Sequence, residues 1–204
     1  MQSFKSFITE AKEGIGLTVF DIDDTLFRTF ASIKVVKDDK TVKSLSNQEY
    51  NVYKLKDGET FDFGEFRNAE NFRKTSIPIT KMINKAKAII RNAEAAGSKV
   101  IIMTARADFD DKKIFLQTFK DHGLNLDNVY IERAGNLGDK NSSAKNKRFL
   151  FHKYLRSGKY ARVRFFDDAL SNINMFKSLQ KQYPLIKFEA YLVQSDGSIK
   201  KVIK

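Results

Sequence analysis

Two acidic pairs of this chain each follow a short segment that is predicted to be a strand. Asp21 and Asp23 come directly after the apolar run at 17–20, and Asp167 and Asp168 follow the segment 163–166. Carboxylates are costly to desolvate at a strand end, so they usually hold a cation or react there. Side chains spaced by two lie on the same side of an extended segment, which predicts that Asp21 and Asp23 converge on one substrate.

Two further segments add a hydroxyl group and lysines. The apolar run 99–103 ends at Thr104, and a basic helix predicted at about 143–157 contains Lys145 and Lys147. Each feature has an ordinary structural reading as well. Asp is common in turns and helix caps, Thr is frequent in strands, and lysines often form the solvated face of a helix. The order and spacing of all four segments favour a reactive site over these separate readings.

Together the four segments resemble the four sequence motifs of the haloacid-dehalogenase-like (HAD) hydrolases. The first motif corresponds to the run Asp21-Ile22-Asp23-Asp24-Thr25, and the resemblance extends over residues 17–172. It implies Mg²⁺-dependent phosphoryl transfer in which Asp21 is the nucleophile and forms an aspartyl-phosphate. Asp23 would protonate the leaving oxygen and then activate water. We expect the surrounding carboxylates to favour the protonated form of Asp23.

The same resemblance implies Mg²⁺ as the cofactor and assigns its ligands. They are the Asp21 carboxylate, the Asp23 backbone carbonyl and Asp167, with Asp168 acting through water. Thr104 would donate a hydrogen bond to a phosphoryl oxygen.

A lysine would offset the negative charge of the nucleophile and the substrate. Comparison with phage-type polynucleotide 3′-phosphatases favours Lys147, with Lys145 second; Lys140 and Lys153 lie near them in sequence. Arg106 is predicted to contact a substrate phosphate, and its alternative is an ion pair with a neighbouring carboxylate.

The alternation of predicted elements indicates an α/β fold with a parallel sheet and helices on both faces. With the resemblance, we expect a three-layer, Rossmann-like HAD core at 15–204, with a small strand-rich cap insertion at about 28–76. Short strands are predicted at 33–36 and 50–55 within the insertion. The remaining predicted elements are helices at 79–96, 110–121, 143–157 and 169–181, and strands at 128–131, 161–166, 188–193 and 198–203.

Composition restricts the chemistry further. The 204 residues include no cysteine, which excludes disulfides and thiolate metal sites, and only His122 and His152 could serve as imidazole ligands or bases. No apolar run is long enough to span a membrane, so we expect no membrane partner. The net charge of +12 favours polyanion binding, with a merely soluble lysine-rich surface as the alternative. Lysines of the insertion could line a nucleic-acid path, or lie on a solvated face: Lys34, Lys37, Lys54 and Lys56.

The first eleven residues carry a second resemblance. They are similar to the capsid-targeting peptides of internal head proteins in T-even-type phages, and Ile8-Thr9-Glu10 fits the cleavage sequence. The alternative is an amphipathic first helix with Phe4, Phe7 and Ile8 packed inward. The phage reading makes residues 1–14 an extension processed after Glu10. It implies contact with the prohead during assembly, packaging in the virion and delivery to the host cytoplasm.

The expected function is hydrolysis of a phosphomonoester, on nucleic-acid 3′ ends or on nucleotides, by a monomer. Small metabolites are the alternative substrates. A non-enzymatic alternative is an injected HAD-fold protein that binds host factors or DNA. No G-x-x-x-x-G-K-[ST] sequence occurs, which argues against an attached kinase.

Overall fold

A six-stranded, mostly parallel sheet runs through the protein. The computed structural model describes residues 15–50, 52–137 and 143–202. The strands in chain order are β1 (Gly16–Phe20), β2 (Phe27–Arg28), β3 (Ile33–Lys37), β4 (Lys40–Leu45), β5 (Thr60–Asp62), β6 (Ile77–Pro78), β7 (Lys99–Thr104), β8 (Tyr130–Arg133), β9 (Arg162–Asp167), β10 (Lys187–Val193) and β11 (Ile199–Lys201). The helices are α1 (Asn47–Tyr50), α2 (Ala69–Thr75), α3 (Thr80–Ala95), α4 (Lys112–Asp121), α5 (Ser143–Leu155) and α6 (Leu170–Leu179).

The sheet has the order β11-β10-β9-β1-β7-β8, and only β11 pairs antiparallel to its neighbour. Side chains alternate between its two faces, as the pleat of a strand requires. Phe20 of β1 joins a core cluster with residues of α3 and α4, whereas Val19 joins a second cluster with residues of α5 and α6. Helices therefore cover both faces. The predicted α/β architecture with a largely parallel sheet is confirmed, and it is compatible with a Rossmann-like fold.

A small antiparallel sheet follows the first strand, in the order β4-β3-β5. It has its own apolar cluster, which includes Ile33, Val35 and Phe66. The β3–β4 hairpin turns at Asp38 and Asp39, both of which have positive φ angles, as a tight hairpin turn requires. Strands β2 and β6 pair antiparallel where this segment leaves and rejoins the larger sheet. The strand-rich segment predicted after β1 is therefore present.

Within that segment the predicted strand at 50–55 is wrong. Helix α1 ends at Tyr50, and the described residues from 52 to 55 form no strand. Ser46 and Glu49 exchange hydrogen bonds in a capping box, a helix-start signal that the sequence interpretation missed. The aromatic residues of 50–55, whose pattern is typical of a strand, instead form a cluster in which Tyr50 and Tyr53 both contact Phe61. Strand β4 and helix α2 were also not predicted.

The later elements agree with prediction to within about two residues at most ends. Helix α3 begins one residue later than predicted and stops before Gly97, whose φ of 63° ends it. The last two predicted strands, β10 and β11, pair antiparallel across a hairpin turn at Asp196-Gly197. No helix among the described residues is long and apolar enough to cross a membrane. The N-terminal extension at 1–14 and Lys140 lie outside the described residues.

Candidate functional site

The carboxyl ends of three neighbouring strands bring the predicted site residues to one edge of the sheet. β1 lies between β7 and β9, and Phe20 is in register with Ile102 on one side and Phe166 on the other. The backbone N–H of Asp21 donates to the carbonyl of Phe166 at 3.0 Å, so the chain stays paired one residue beyond β1. Asp21, Thr104 and Asp167 consequently leave their strands at the same level.

Lys147 lies between two of the carboxylates. Its Nζ is 2.8 Å from Asp21 Oδ1 and 2.8 Å from Asp167 Oδ2, and its side chain is fully buried. Burial alone would lower the pKa of Lys147, but Asp167 and Asp21 more than offset that effect and raise it. The alternative that this residue belongs to a solvated helix face is wrong. Lys145 is exposed on the same helix.

Lys153 does not point to this site. Its Nζ contacts Glu132 Oε1 at 2.7 Å, and Glu132 also accepts a hydrogen bond from Tyr154 Oη at 2.6 Å. Of the three described candidate lysines, Lys147 is therefore the one that reaches the carboxylates.

Asp167 is held by the protein on both of its oxygens. Oδ1 accepts from the Ala169 backbone N–H at 2.8 Å, and Oδ2 accepts from Lys147. Asn172 Nδ2 lies 3.0 Å from each oxygen. The sequence interpretation missed Asn172, although a polar residue beside the apolar positions 173, 176 and 179 of one helix is a recognisable signal. The turn reading of Asp167 is also partly correct, since its bond from the Ala169 N–H forms a turn just before α6.

Asp168 is held much less firmly. Among the described residues its carboxylate accepts one long hydrogen bond, from Thr25 Oγ1 at 3.4 Å. Burial, followed by repulsion from Asp167, Asp21 and Asp24, raises the pKa of Asp168 to about 9. Burial also raises the pKa of Asp21 to about 7, in spite of Lys147. These shifts indicate an excess of negative charge in the cluster.

The three carboxylates could share a cation. One oxygen each from Asp21, Asp167 and Asp168 lie within 4.8 Å of one another. Lys147 is the only cationic group that bonds to this cluster among the described residues, so with all three carboxylates ionised two negative charges would lack a partner. Hard oxygen donors with excess negative charge are what Mg²⁺ requires. The donor set therefore fits the metal that the sequence predicts.

Asp23 faces a different environment from the one expected. Its carboxylate accepts from Arg106 Nε and Nη2, at 3.0 and 2.6 Å, and from Thr29 Oγ1 at 2.7 Å. A guanidinium group thus lies against Asp23, which the sequence interpretation did not include, and the expectation that neighbouring carboxylates favour its protonated form stays a prediction. For Arg106 the structure has the ion pair that the sequence gave as the alternative.

The Arg106 side chain is enclosed by Phe66, which follows the last strand of the small sheet, and by Phe72 of α2. Its guanidinium stacks within 4.7 to 5.4 Å of the ring centroids of Phe66, Phe72 and Phe109, and Nη1 donates to the Phe66 carbonyl at 2.8 Å. Its backbone N–H donates to Thr104 Oγ1 at 3.1 Å. Thr104 is completely buried, so its hydroxyl fixes the chain where it leaves β7.

Gly135 supports the same segment from the other side. A Cβ at this position would lie 2.5 Å from the Ala105 carbonyl oxygen and 2.6 Å from the Ala107 nitrogen. Only glycine allows this approach of two backbones. Gly135 N also donates to the Arg106 carbonyl at 3.2 Å. The sequence interpretation assigned Gly135 no role, because such a contact between distant segments has no local signal.

The site thus combines a cluster of three carboxylates with a single cationic partner, the buried Lys147, and a separately oriented aspartate, Asp23. This combination can bind a divalent cation and present a carboxylate oxygen to an electrophile. A comparison with models of protein families finds no match for this chain, and a comparison with curated proteins finds none either.

Proposed function

We propose that the protein is a Mg²⁺-dependent phosphatase of the HAD type that hydrolyses a phosphomonoester through an aspartyl-phosphate on Asp21. The observation that carries the proposal is the placement of Lys147 between Asp21 and Asp167, while Asp168 beside them lacks a cationic partner among the described residues. A purely structural ion-pair cluster would balance its charges, since uncompensated buried carboxylates cost stability. A site that binds a cation and a phosphate requires the imbalance.

Asp21 is suited to act as the nucleophile. Lys147 occupies Oδ1, which orients the side chain and leaves Oδ2 for the phosphorus atom. Attack of Oδ2 forms the phosphorus–oxygen bond while the ester oxygen leaves, and water then hydrolyses the acyl phosphate. Lys147 also supplies a fixed positive charge next to the phosphoryl oxygens, where negative charge must be stabilised in the transition state.

Asp168 is the residue best placed to hold Mg²⁺ directly, and Asp21 lies within reach of the same ion. Asp168 has oxygens available, whereas both oxygens of Asp167 already accept hydrogen bonds from the protein. This assignment reverses the roles that the family resemblance gives to Asp167 and Asp168. Asp167 instead positions Lys147. Bound Mg²⁺ would draw electron density from the phosphoryl oxygens and reduce their repulsion with the nucleophile.

Asp23 remains the proposed general acid and base. It lies two residues after the nucleophile, and its side chain keeps 14% exposure, so a leaving oxygen and a water molecule can reach it. Arg106 and Thr29 fix its orientation. Thr104 contributes by holding the backbone at Arg106, and a phosphate contact by its hydroxyl remains a proposal.

Phosphorylated nucleic-acid ends or nucleotides are the proposed substrates. The small sheet would then act as a cap beside the site. Between residues 29 and 68 the chain has seven Lys or Arg and seven Asp or Glu, so this segment is neutral overall. The whole insertion predicted at 28–76 has ten Lys or Arg and eight Asp or Glu, so it contributes little to the net charge of +12, and a nucleic-acid path along its lysines stays a prediction. The excess positive charge lies elsewhere in the chain.

Hydrolysis of an aryl phosphate with and without Mg²⁺ tests the proposal. The parent protein is expected to turn over only with the metal, and Asp21→Asn is expected to abolish turnover while the fold and Mg²⁺ binding by Asp168 are retained. Absence of both turnover and Mg²⁺ binding in the parent would contradict the proposal. That result would favour the alternative in which the protein acts by binding host factors or DNA.

A further inference from the structure

The positive charge of the chain is concentrated around the helix that carries Lys147. Residues 140–166 contain nine Lys or Arg and no Asp or Glu. The other 28 Lys or Arg lie outside this stretch, but so do all 25 Asp and Glu, so the stretch supplies nine of the twelve excess positive charges. Helix α5 lies within this acid-free stretch, and its inner side is buried through Lys147, Leu150, Phe151 and Tyr154.

The opposite side of α5 forms what we call the basic stripe, consisting of Lys145, Arg148, Phe149, His152 and Arg156. With 3.6 residues per turn, these positions all lie on the half of the helix that points away from Lys147. Arg156 follows the last helical residue directly. At about 1.5 Å per residue the stripe extends over about 16 Å.

The basic side chains of the stripe face a common region. Burial, followed by the charges of Arg156 and Arg148, lowers the pKa of His152, as expected where cations crowd together. His152 Nδ1 lies 2.6 Å from the Tyr183 hydroxyl, which orients the imidazole ring. Repulsion among these groups is unfavourable in the isolated protein and would be relieved by a polyanion.

Phe149 gives the stripe a stacking surface. Its side chain is 64% exposed, which makes it the most exposed phenylalanine among the described residues. It follows Arg148 in sequence and lies one helical turn from Lys145, so the charges of both residues flank it. An exposed aromatic ring flanked by cations is the combination that binds single-stranded nucleic acid, because any base can stack on it while phosphates contact the cations.

We propose that the basic stripe binds single-stranded nucleic acid and leads its phosphorylated end to the carboxylate site. Binding of nucleic acid by the stripe is independent of the proposed function, whereas delivery of a phosphorylated end to the carboxylates rests on it. Lys147 and the stripe lie on opposite sides of the same helix, which is about 10–12 Å across with its side chains, so the stripe is close to the carboxylate site. Duplexes fit less well, since their bases are already stacked. A membrane surface also fits less well, because Phe149 is the only apolar residue of the stripe.

Binding of a fluorescein-labelled oligothymidylate with a free 3′ hydroxyl tests the surface without turnover. Fluorescence anisotropy of the full chain is measured over a range of KCl concentrations. Phe149→Ala is expected to weaken binding roughly tenfold, and Phe149→Tyr to retain it. Arg148→Ala and Arg156→Ala should each reduce the salt dependence, by about 0.7 in the slope of log K against log salt.

Matched controls lie in the electrically neutral small sheet and its loops. Lys40→Ala removes an exposed cation and Val52→Ala an exposed apolar side chain, and both should bind the oligonucleotide like the parent. Equal losses in these controls would show that only bulk charge matters and would overturn the inference. Unchanged binding by Phe149→Ala, equally tight binding of a duplex, or displacement of the oligonucleotide by anionic lipid vesicles would also overturn it.

The two proposals fail in different ways. If the oligonucleotide binds through the stripe but the parent hydrolyses no aryl phosphate, the phosphatase proposal is wrong and the surface stands. If aryl phosphate is hydrolysed but the stripe variants bind like the parent, the surface is wrong and the enzyme stands. With both correct, Phe149→Ala raises the KM for a 3′-phosphorylated oligonucleotide.

Discussion

Arg106 holds the carboxylate of Asp23 through two of its nitrogen atoms, with the closest contact at 2.6 Å between Nη2 and Oδ1. The arginine side chain is 1% exposed, whereas that of Asp23 is 14% exposed. Arg106 is therefore buried, whereas the carboxylate of Asp23 is partly accessible to solvent. Arg106 also donates to the carbonyl of Phe66, which follows β5. The position of Asp23 therefore depends on the backbone just after the small sheet.

Arg106→Lys is expected to lower kcat about tenfold to a hundredfold with little change in KM. Lysine keeps the charge but cannot contact the carboxylate at two points, so Asp23 is less well oriented for proton transfer. The loss should be larger for an alkyl phosphate than for p-nitrophenyl phosphate, because the poorer leaving group depends more on the acid. Steady-state kinetics with both substrates check this.

The opposite kinetic pattern would identify a different role for Arg106. A raised KM with unchanged kcat on both substrates would mean that the arginine binds the substrate phosphate, as the sequence first predicted. Lys74→Ala serves as the control, since Lys74 forms an exposed pair with Glu70 and should leave both constants unchanged.

Much of this site is predictable because its information is local. The acidic pairs at Asp21 and Asp167 and the hydroxyl of Thr104 each follow an apolar run, and adjacent parallel strands carry them to one edge. Residues two apart on a helix point in different directions, so Lys145 and Lys147 cannot both face the carboxylates. The sequence resemblance supplied the preference for Lys147, and the structure places that residue at the carboxylates.

The unpredicted features depend on contacts between distant segments. Arg106 and Asp23 are 83 residues apart, and their pairing follows from the way α2 and the small sheet enclose the guanidinium. Gly135 supports the same segment from a loop after β8. Asp167 is held in part by Asn172, which is contributed by the next helix. Periodicity does not encode which side chains meet across such distances.

Asp168→Asn and Asp167→Asn are expected to have different effects. Asp168→Asn should abolish detectable Mg²⁺ binding in isothermal titration calorimetry, but it should raise the melting temperature of the metal-free protein at about pH 8. It removes a carboxylate whose raised pKa reflects an unfavourable buried charge. Asp167→Asn should lower the melting temperature, because an amide cannot accept all the hydrogen bonds that Asp167 receives. That loss corresponds to about 1–3 kcal/mol.

The reverse result would restore the assignment from the family resemblance. If Asp167→Asn abolished Mg²⁺ binding while Asp168→Asn only weakened it, Asp167 would be the direct ligand. Asp196→Asn is a suitable control, since Asp196 lies in the β10–β11 hairpin turn and should not affect the metal.

Lys147→Met is expected to be inactive and destabilised by about 3–5 kcal/mol, because it leaves Asp21 and Asp167 buried without their common cation. Adding Asp167→Asn to this variant should cost less than Asp167→Asn does in the parent, because one unpaired charge is then removed. Urea denaturation of the two single variants and the double variant measures this coupling. Strict additivity of the two effects would show that the lysine and Asp167 act independently in the folded protein.

Mg²⁺ should stabilise the protein more at about pH 8 than at about pH 5. In the metal-free folded state the pKa of Asp21 is about 7 and that of Asp168 is about 9, whereas an ordinary aspartate has 3.8. Between these values the folded state binds protons that the unfolded state has released, so stability falls as pH rises. This contribution is complete below the unfolded pKa and is lost as pH passes about 7 and about 9. Mg²⁺ must displace the same protons, so its affinity increases over that interval.

Thermal melts with and without Mg²⁺ at both pH values test the expectation, and Asp168→Asn should remove most of the difference. An equal stabilisation by Mg²⁺ at the two pH values would place the metal away from these carboxylates.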